Sequence, residues 1–510
     1  MATQISFLTL PRELRDILYQ EYFTSEGGYH FDFKASKFRT LHEEPISLSL
    51  RLTCRTIAIE TRGLAFRYNS LNFSTASDDT DRETFGHFNV LLPILIQSKA
   101  NLLTHAAEKK CLSKQLYSEL ANEYPQLQRF IREMEAAAHR VTLDYETWGD
   151  VPSAGRHFTT SALNRLADTP QITHALAKSR VCRNRIDECR RTMALWYDPW
   201  TVPTTSHINE IMRAVPAQPL HATLSKPHFY WDKLNYRLSA AAIAVQVLQS
   251  LPPSTRSQLR HIVLHEDHVA IAWPECHAQG LIPFCRESPH LRIERRVSLW
   301  RAVLAAGPEP LFNLEERIRH MPTYNWDHDA VRSHHVTKCV ASWIVEARAL
   351  KDQGMPSNAF KLALEADGIP ERSSEVFDVV KQDAAWHDAY VRFCASQAPA
   401  SNPWNWWSEE RSIPTYVVQG FPDALRDIVA GTSVVSCDFD VGGACDVDVS
   451  ALVERARNTG WTLNDWTDSF FNRHGRNVFE TQPPLPSWLE IRREEYVSTM
   501  QQDQRGVHRL

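Results

Sequence analysis

The sequence predicts an α+β protein that is predominantly helical. A helical N-terminal module is expected over residues 1–75, a helix-rich region over 85–200, a mixed α/β region over 225–400, and a C-terminal hairpin with helices over 401–510. Three observations lead there. Apolar residues recur at helical spacing through most of the first 200 positions. Short β-branched and aromatic runs enter only around residues 29–33, 69–74 and after 259. The composition, 43% hydrophobic and 23% charged over 510 residues, is that of a globular chain long enough for about three domains.

The first helix follows Leu10 and Pro11, the proline being suited to the first helical position. Leu14, Ile17 and Leu18 then share a stripe, while Arg12, Glu13, Arg15 and Asp16 face away. Such a helix is expected to be buried on its apolar side. After Gly27-Gly28, Tyr29, Phe31 and Phe33 alternate with polar residues, a strand signal. Leu50, Cys54, Ile57, Thr61 and Leu64 form a second helical stripe, and Asn69 to Ser74 alternates again as a strand.

The pattern Leu-Pro-x-Glu-Leu-x-x-Ile-Leu from Leu10 to Leu18, with Cys-Arg-x-Ile from Cys54 to Ile57, resembles the F-box, and more closely its divergent form in a large family of filamentous fungi. The resemblance covers about the first 75 residues, with a longer segment than usual between its two motifs. It implies a compact helical trio that binds the adaptor subunit of a cullin-type ubiquitin ligase and leaves the rest of the chain to hold an unknown protein substrate. Leu10, Pro11, Leu14, Ile17 and Leu18 would then sit at or under the adaptor contact, with Cys54 and Ile57 on the supporting helix. Read without the resemblance, the same leucines fit a purely local core in a structural or scaffold protein.

The helix-rich region follows. Phe88 to Lys110 is an apolar helix with Pro93 in its first part; Leu112, Leu116, Leu120 and Tyr124 mark the next, and Pro125 opens a third. Cys182, Ile186, Cys189, Met193 and Trp196 make a helical seam. On one helix, Cys182 and Cys189 would lie roughly 10 Å apart, beyond disulfide reach, and are expected as core thiols. The ten cysteines, without a repeating spacing, read as reduced thiols of a cytoplasmic or nuclear protein.

Leu238 to Leu251 is an apolar helix stopped by Pro252-Pro253, and strand-like runs follow at Ile262–Leu264 and Val269–Trp273. His261, His265, His268, Cys276, His277, Cys285 and His290 form the densest ligand-type cluster, but lack the paired short spacings of zinc sites, so no metal is expected. Were the protein an enzyme, chemistry would be placed in a cleft lined by His265, Glu266 and His268. Arg292 to Val297 leads into a helix at Leu299, Val303 and Leu304. A helix over 328–352, the Phe360–Leu364 stretch stopped by Gly368, and a stripe from Val376 to Phe393 complete the region.

Asn402 to Trp407 is an aromatic-rich loop, and Phe421 to Gly431 a helix with proline near its start and glycine last. Val434 to Val449 reads as a hairpin with a three-residue loop, Gly442 to Ala444, which gathers Asp438, Asp440, Asp446 and Asp448 on one face. That face lacks the closing acid of a calcium loop and is expected to be solvated. Ser450 suits a helix cap, and Pro483 to Trp488 an extended lead into a final short helix.

No phosphate-binding glycine loop, nucleophile elbow or metalloprotease motif is present, so neither an enzyme nor a cofactor is expected. A net charge of -5 and a pI near 6.5 give no reason to expect nucleic acid as partner, and no stretch is long and apolar enough for a membrane span.

Overall fold

The computed structural model describes residues 7–136, 151–167, 169, 172, 186–215, 234–306, 331–396, 420–443, 445–473 and 478–495. Helices dominate, and seven strands form one sheet: β1 (Tyr29–Asp32), β2 (Lys37–Thr40), β3 (Ser70–Ser74), β4 (His261–Glu266), β5 (Arg292–Ser298), β7 (Phe360–Glu365) and β8 (Val435–Cys437). Their spatial order is β2-β1-β3-β4-β5-β7-β8. Only the β1–β2 hairpin is antiparallel. A two-stranded ladder, β6 (Val331–Arg332) with β9 (Val478–Phe479), ties the C-terminal part to the start of helix Ser333–Ala349.

Parallel strands that follow one another in chain order send right-handed crossovers to a common face. Burial alternates accordingly. Leu71, Phe73, Ile262, Leu264, Ile293, Val297, Phe360, Leu362, Leu364 and Val435 are buried beneath the helices. The opposite face carries His30, Asn72, His265, Glu294, Arg296, Lys361 and Glu365, most of them half-buried. Parallel sheets are ordinarily covered on both faces. Among the described residues this one is packed beneath helices on one.

The covered face holds a buried ion pair. Arg295 donates from Nε (2.9 Å) and a terminal nitrogen (2.7 Å) to Glu266 Oε1, both side chains being 1% exposed. Glu266 also accepts from the backbone N–H groups of Ala240 and Ala241, the first residues of helix Ala240–Ser250. Ser239 caps that helix through the Ala242 amide. A single carboxylate therefore joins two strands to a helix start.

Three hydrophobic cores are present among the described residues. The largest runs from Tyr19 to Ile491 and includes β1–β3, so the expected boundary near residue 75 does not separate two cores. Helix Arg82–Glu108 contributes Phe85 to Ile96 to this core and Ala100 to Ala107 to the second, with Pro93 inside it as anticipated. The third core pairs Trp386 to Cys394 with Leu452 to Phe470, thus crossing the boundary expected at 400. No described helix is long and apolar enough to cross a membrane.

Several local expectations are corrected. Val269–Trp273 is a loop, not a strand: Ala272 and Trp273 take left-handed backbone angles, and the amides of Ile271 and Ala272 bond to Arg237 and Asn89 instead of a ladder. The hairpin at Val434–Val449 does not form, because β8 pairs in parallel with β7. Its aspartates act locally: Asp438 accepts from Ala366 N, Asp440 from Gly442 N, and Asp448, not Ser450, caps helix Val449–Thr459. Cys189, expected as a reduced core thiol, is instead disulfide-bonded. Cys182, the other thiol of the expected seam, lies outside the described residues. The aromatic-rich loop Asn402–Trp407 also lies outside the described residues.

Candidate functional site

Helix Arg12–Phe23 carries apolar residues on two sides, and a short helix packed on one neighbour can bury only one of them. Tyr19 and Phe23 are the buried pair, at 0% and 2% exposure. The stripe expected to be inside lies outside. Leu14 is 47% exposed, Ile17 58% and Leu18 45%; Pro11 is exposed and Leu10 half-buried. Cys54, at the start of helix Arg55–Glu60, is half-buried, and Ile57 is buried beneath.

The reason is an ion pair that sequence spacing did not reveal. Arg15, expected to face away, turns inward and donates to both oxygens of Glu60 at 3.0 and 2.6 Å, while the Tyr19 hydroxyl donates to the same carboxylate at 2.6 Å. Hydrogen bonds from Arg15 and then Tyr19 hold the Glu60 carboxyl at about 2. That clamp sets the rotation of the first helix on the second. Further exposed apolar side chains of the module are Leu8, Tyr22, Leu48, Leu52 and Ile59. Tyr22 reaches Ser47 and Ser49 through its hydroxyl, which binds the turn Ser49–Leu52 to the first helix. Among the described residues, the exposed large apolar side chains are concentrated in this module.

A second feature lies on the polar face of the sheet. A trough of about 420 Å³ is lined by Ser25, Gly27, Gly28, Tyr68, Asn69, Ser70, Asn72, His261, Val263, His265 and Arg296. The register sets Asn72 beside Val263, and His265 beside Arg296. Asn72 donates to the carbonyls of Gly27 (2.9 Å) and Tyr29 (3.3 Å), and its oxygen lies 3.5 Å from His265 Nε2. Asn69 fastens the same turn, accepting from Ser25 N at 2.7 Å and donating to Phe23 O at 2.7 Å. Burial, and next the nearby Arg296, lower the His265 pKa from its ordinary value.

Gly28 lies where the turn meets β3, with φ at +74°, and a Cβ there would stand 2.5 Å from the Ser70 carbonyl oxygen. Gly28→Ala is expected to destabilise the protein by about 1–3 kcal/mol, since both the backbone angle and the contact oppose a side chain. Urea unfolding checks this, and an unchanged midpoint would contradict the tight fit.

The seven His and Cys residues between 261 and 290 do not converge. His261 and His265 project to the polar face, His268 lies near Asp267 and Glu494, and Cys276, His277 and Cys285 are buried beneath the helices, while His290 is exposed. Among the described residues no group of His, Cys, Asp and Glu could hold a metal ion. His265 and Glu266 are neighbours on a strand and point to opposite faces, so with His268 they do not line one cleft. His277 is held by Ser239 Oγ at Nδ1 (2.7 Å) and by the Ala272 carbonyl at Nε2 (2.8 Å), in a structural position.

No family model, curated protein or solved structure matches the chain. What the geometry defines is a class: an α+β protein with exposed apolar side chains on its N-terminal helices and, among the described residues, a sheet with one apolar face beneath helices and one polar face that carries a trough.

Proposed function

We propose that the chain is an F-box-like protein-interaction adaptor that docks the adaptor subunit of a cullin-type ubiquitin ligase and presents a protein substrate. Docking is assigned to Leu10, Pro11, Leu14, Ile17 and Leu18, with Cys54 and Ile57 beneath. The observation that carries this reading is the outward turn of Leu14, Ile17 and Leu18, clamped in place by the Arg15–Glu60 pair. An apolar stripe that serves only its own core would be covered.

Co-purification with the ligase adaptor subunit tests it. The wild-type chain is expected to be captured, and Leu14→Ala/Leu18→Ala to weaken capture by at least about tenfold, as loss of two central apolar anchors does. Because both side chains are nearly half exposed, the double variant is expected to unfold at the wild-type midpoint. Capture that is absent, or indifferent to these changes, would favour a structural role without a ligase.

A further inference from the structure

The basic residues lining the trough are Arg296, His261 and His265, and none of the lining residues is a carboxylate. The nearest acids sit beside it. Glu294 accepts from Arg296 Nε at 2.9 Å and lies 4.0 Å from His261 Nε2, and Glu365 is 3.8 Å from Arg296. His265 is faced by Asn72 from β3, Arg296 and Glu294 from β5, Asp267 from its own loop and His30 from β1. On that face the Nε2 atom of His30, beside Asn72 in register, is buried without a hydrogen-bond partner.

These groups set what the trough can hold. A phosphate group brings roughly -1.5 to -2 charges at neutral pH, too many for one guanidinium already shared with Glu294. A carboxylate brings one. The trough also extends over β3, β4 and β5 and up to the turn before β1. Strands stand about 4.8 Å apart, so this span takes several residues of extended chain at about 3.3 Å each, more than a lone carboxylate fills. The Gly27-Gly28 turn presents no side chain at its rim, and Ser25 and Ser70 add hydroxyl groups.

We propose that this trough is a receptor site for an acidic peptide segment, one carboxylate of which is held by Arg296, His265 and His261. The site stands on the sheet and does not depend on the ligase reading. Because His265 gains a proton on acidification, its attraction for a carboxylate strengthens as pH falls.

Fluorescence anisotropy of the full chain with a labelled oligo-glutamate peptide, against an oligo-lysine peptide of equal length, tests the assignment. The glutamate peptide is expected to bind and the lysine peptide not, with affinity about tenfold higher at about pH 5.5 than at about pH 8. Arg296→Gln is expected to weaken binding about tenfold, His265→Asn to flatten the pH dependence, and Arg296→Glu to shift preference toward the lysine peptide. The Arg296 side chain is 41% exposed, so these variants are expected to keep the wild-type unfolding midpoint. Equal binding of both peptides, or affinity indifferent to Arg296→Gln, would overturn the proposal. Displacement by inorganic phosphate or by free glutarate at concentrations as low as the peptide's would overturn it in favour of a small-anion site. Leu14→Ala/Leu18→Ala is expected to leave peptide binding unchanged, so failure here and failure of ligase docking are read separately.

Discussion

Glu266→Ala is expected to destabilise the protein by about 3–5 kcal/mol, the range for removing one partner of a buried ion pair. The substitution leaves the Arg295 guanidinium buried with only the carbonyls of Pro274 (2.7 Å) and Glu275 (3.3 Å), over the Trp343 ring at 4.6 Å. It also removes the acceptor for two helix-start amides, at Ala240 and Ala241. Glu266→Gln keeps an acceptor and the side-chain shape, so it is expected to cost less than the alanine variant. The urea midpoint and faster hydrogen exchange across helix Ala240–Ser250 measure the effect. A loss under about 1 kcal/mol would mean that the pair is not the joint between sheet and helix.

The second large effect is an acid sensitivity centred on His277. Burial, which outweighs the bond to the Ala272 carbonyl, lowers its pKa to about 3. The folded protein therefore keeps His277 neutral while the unfolded chain protonates it near its ordinary value of about 6.5. In that interval the unfolded state binds more protons, so stability falls as pH drops from about 6.5 toward about 3. His277→Gln is expected to flatten this acid slope, by a few kcal/mol over about three pH units at most. Glu275 and Asp383 act in the opposite sense. Burial raises each to about 7, so the stability tied to their protonated forms is present in acid and lost as pH rises toward 7. Comparing His277→Gln with wild type across the acid range isolates the histidine, and parallel profiles would refute the assignment.

Legibility differed from element to element, for identifiable reasons. Helices Ala240–Ser250, Phe421–Val429 and Trp488–Glu494 stand where apolar spacing and proline placed them, since these signals are local. β1 and β3 were legible from alternation, and β4 from the short apolar run Ile262–Leu264. β5 was not read as a strand, because Arg-Ile-Glu-Arg-Arg-Val-Ser sets arginine on the covered face, which makes sense only once Glu266 stands beside it. The Asp438–Asp448 group is exposed as expected, but its hairpin was misread because end caps and a hairpin face draw on the same residue type.

The site shows the same division. The residues of the N-terminal surface were named by their pattern, but their outward direction rests on Arg15 meeting Glu60 across 45 positions. The trough joins residues from the 20s, 60s and 70s to others beyond 260, and no local spacing brings those together.

By itself the sequence determined most of the helical stretches and the apolar stripe of the first helix, because each depends on side chains within a few turns of one another. Which side of that helix faces solvent, and which strands share one sheet with one polar face, were decided only by the tertiary structure. The physical reason is that a carboxylate drawn wholly or partly out of water must find its guanidinium wherever the chain supplies one. Glu60 with Arg15 and Glu266 with Arg295 each impose a rotation or a pairing that periodicity alone leaves open.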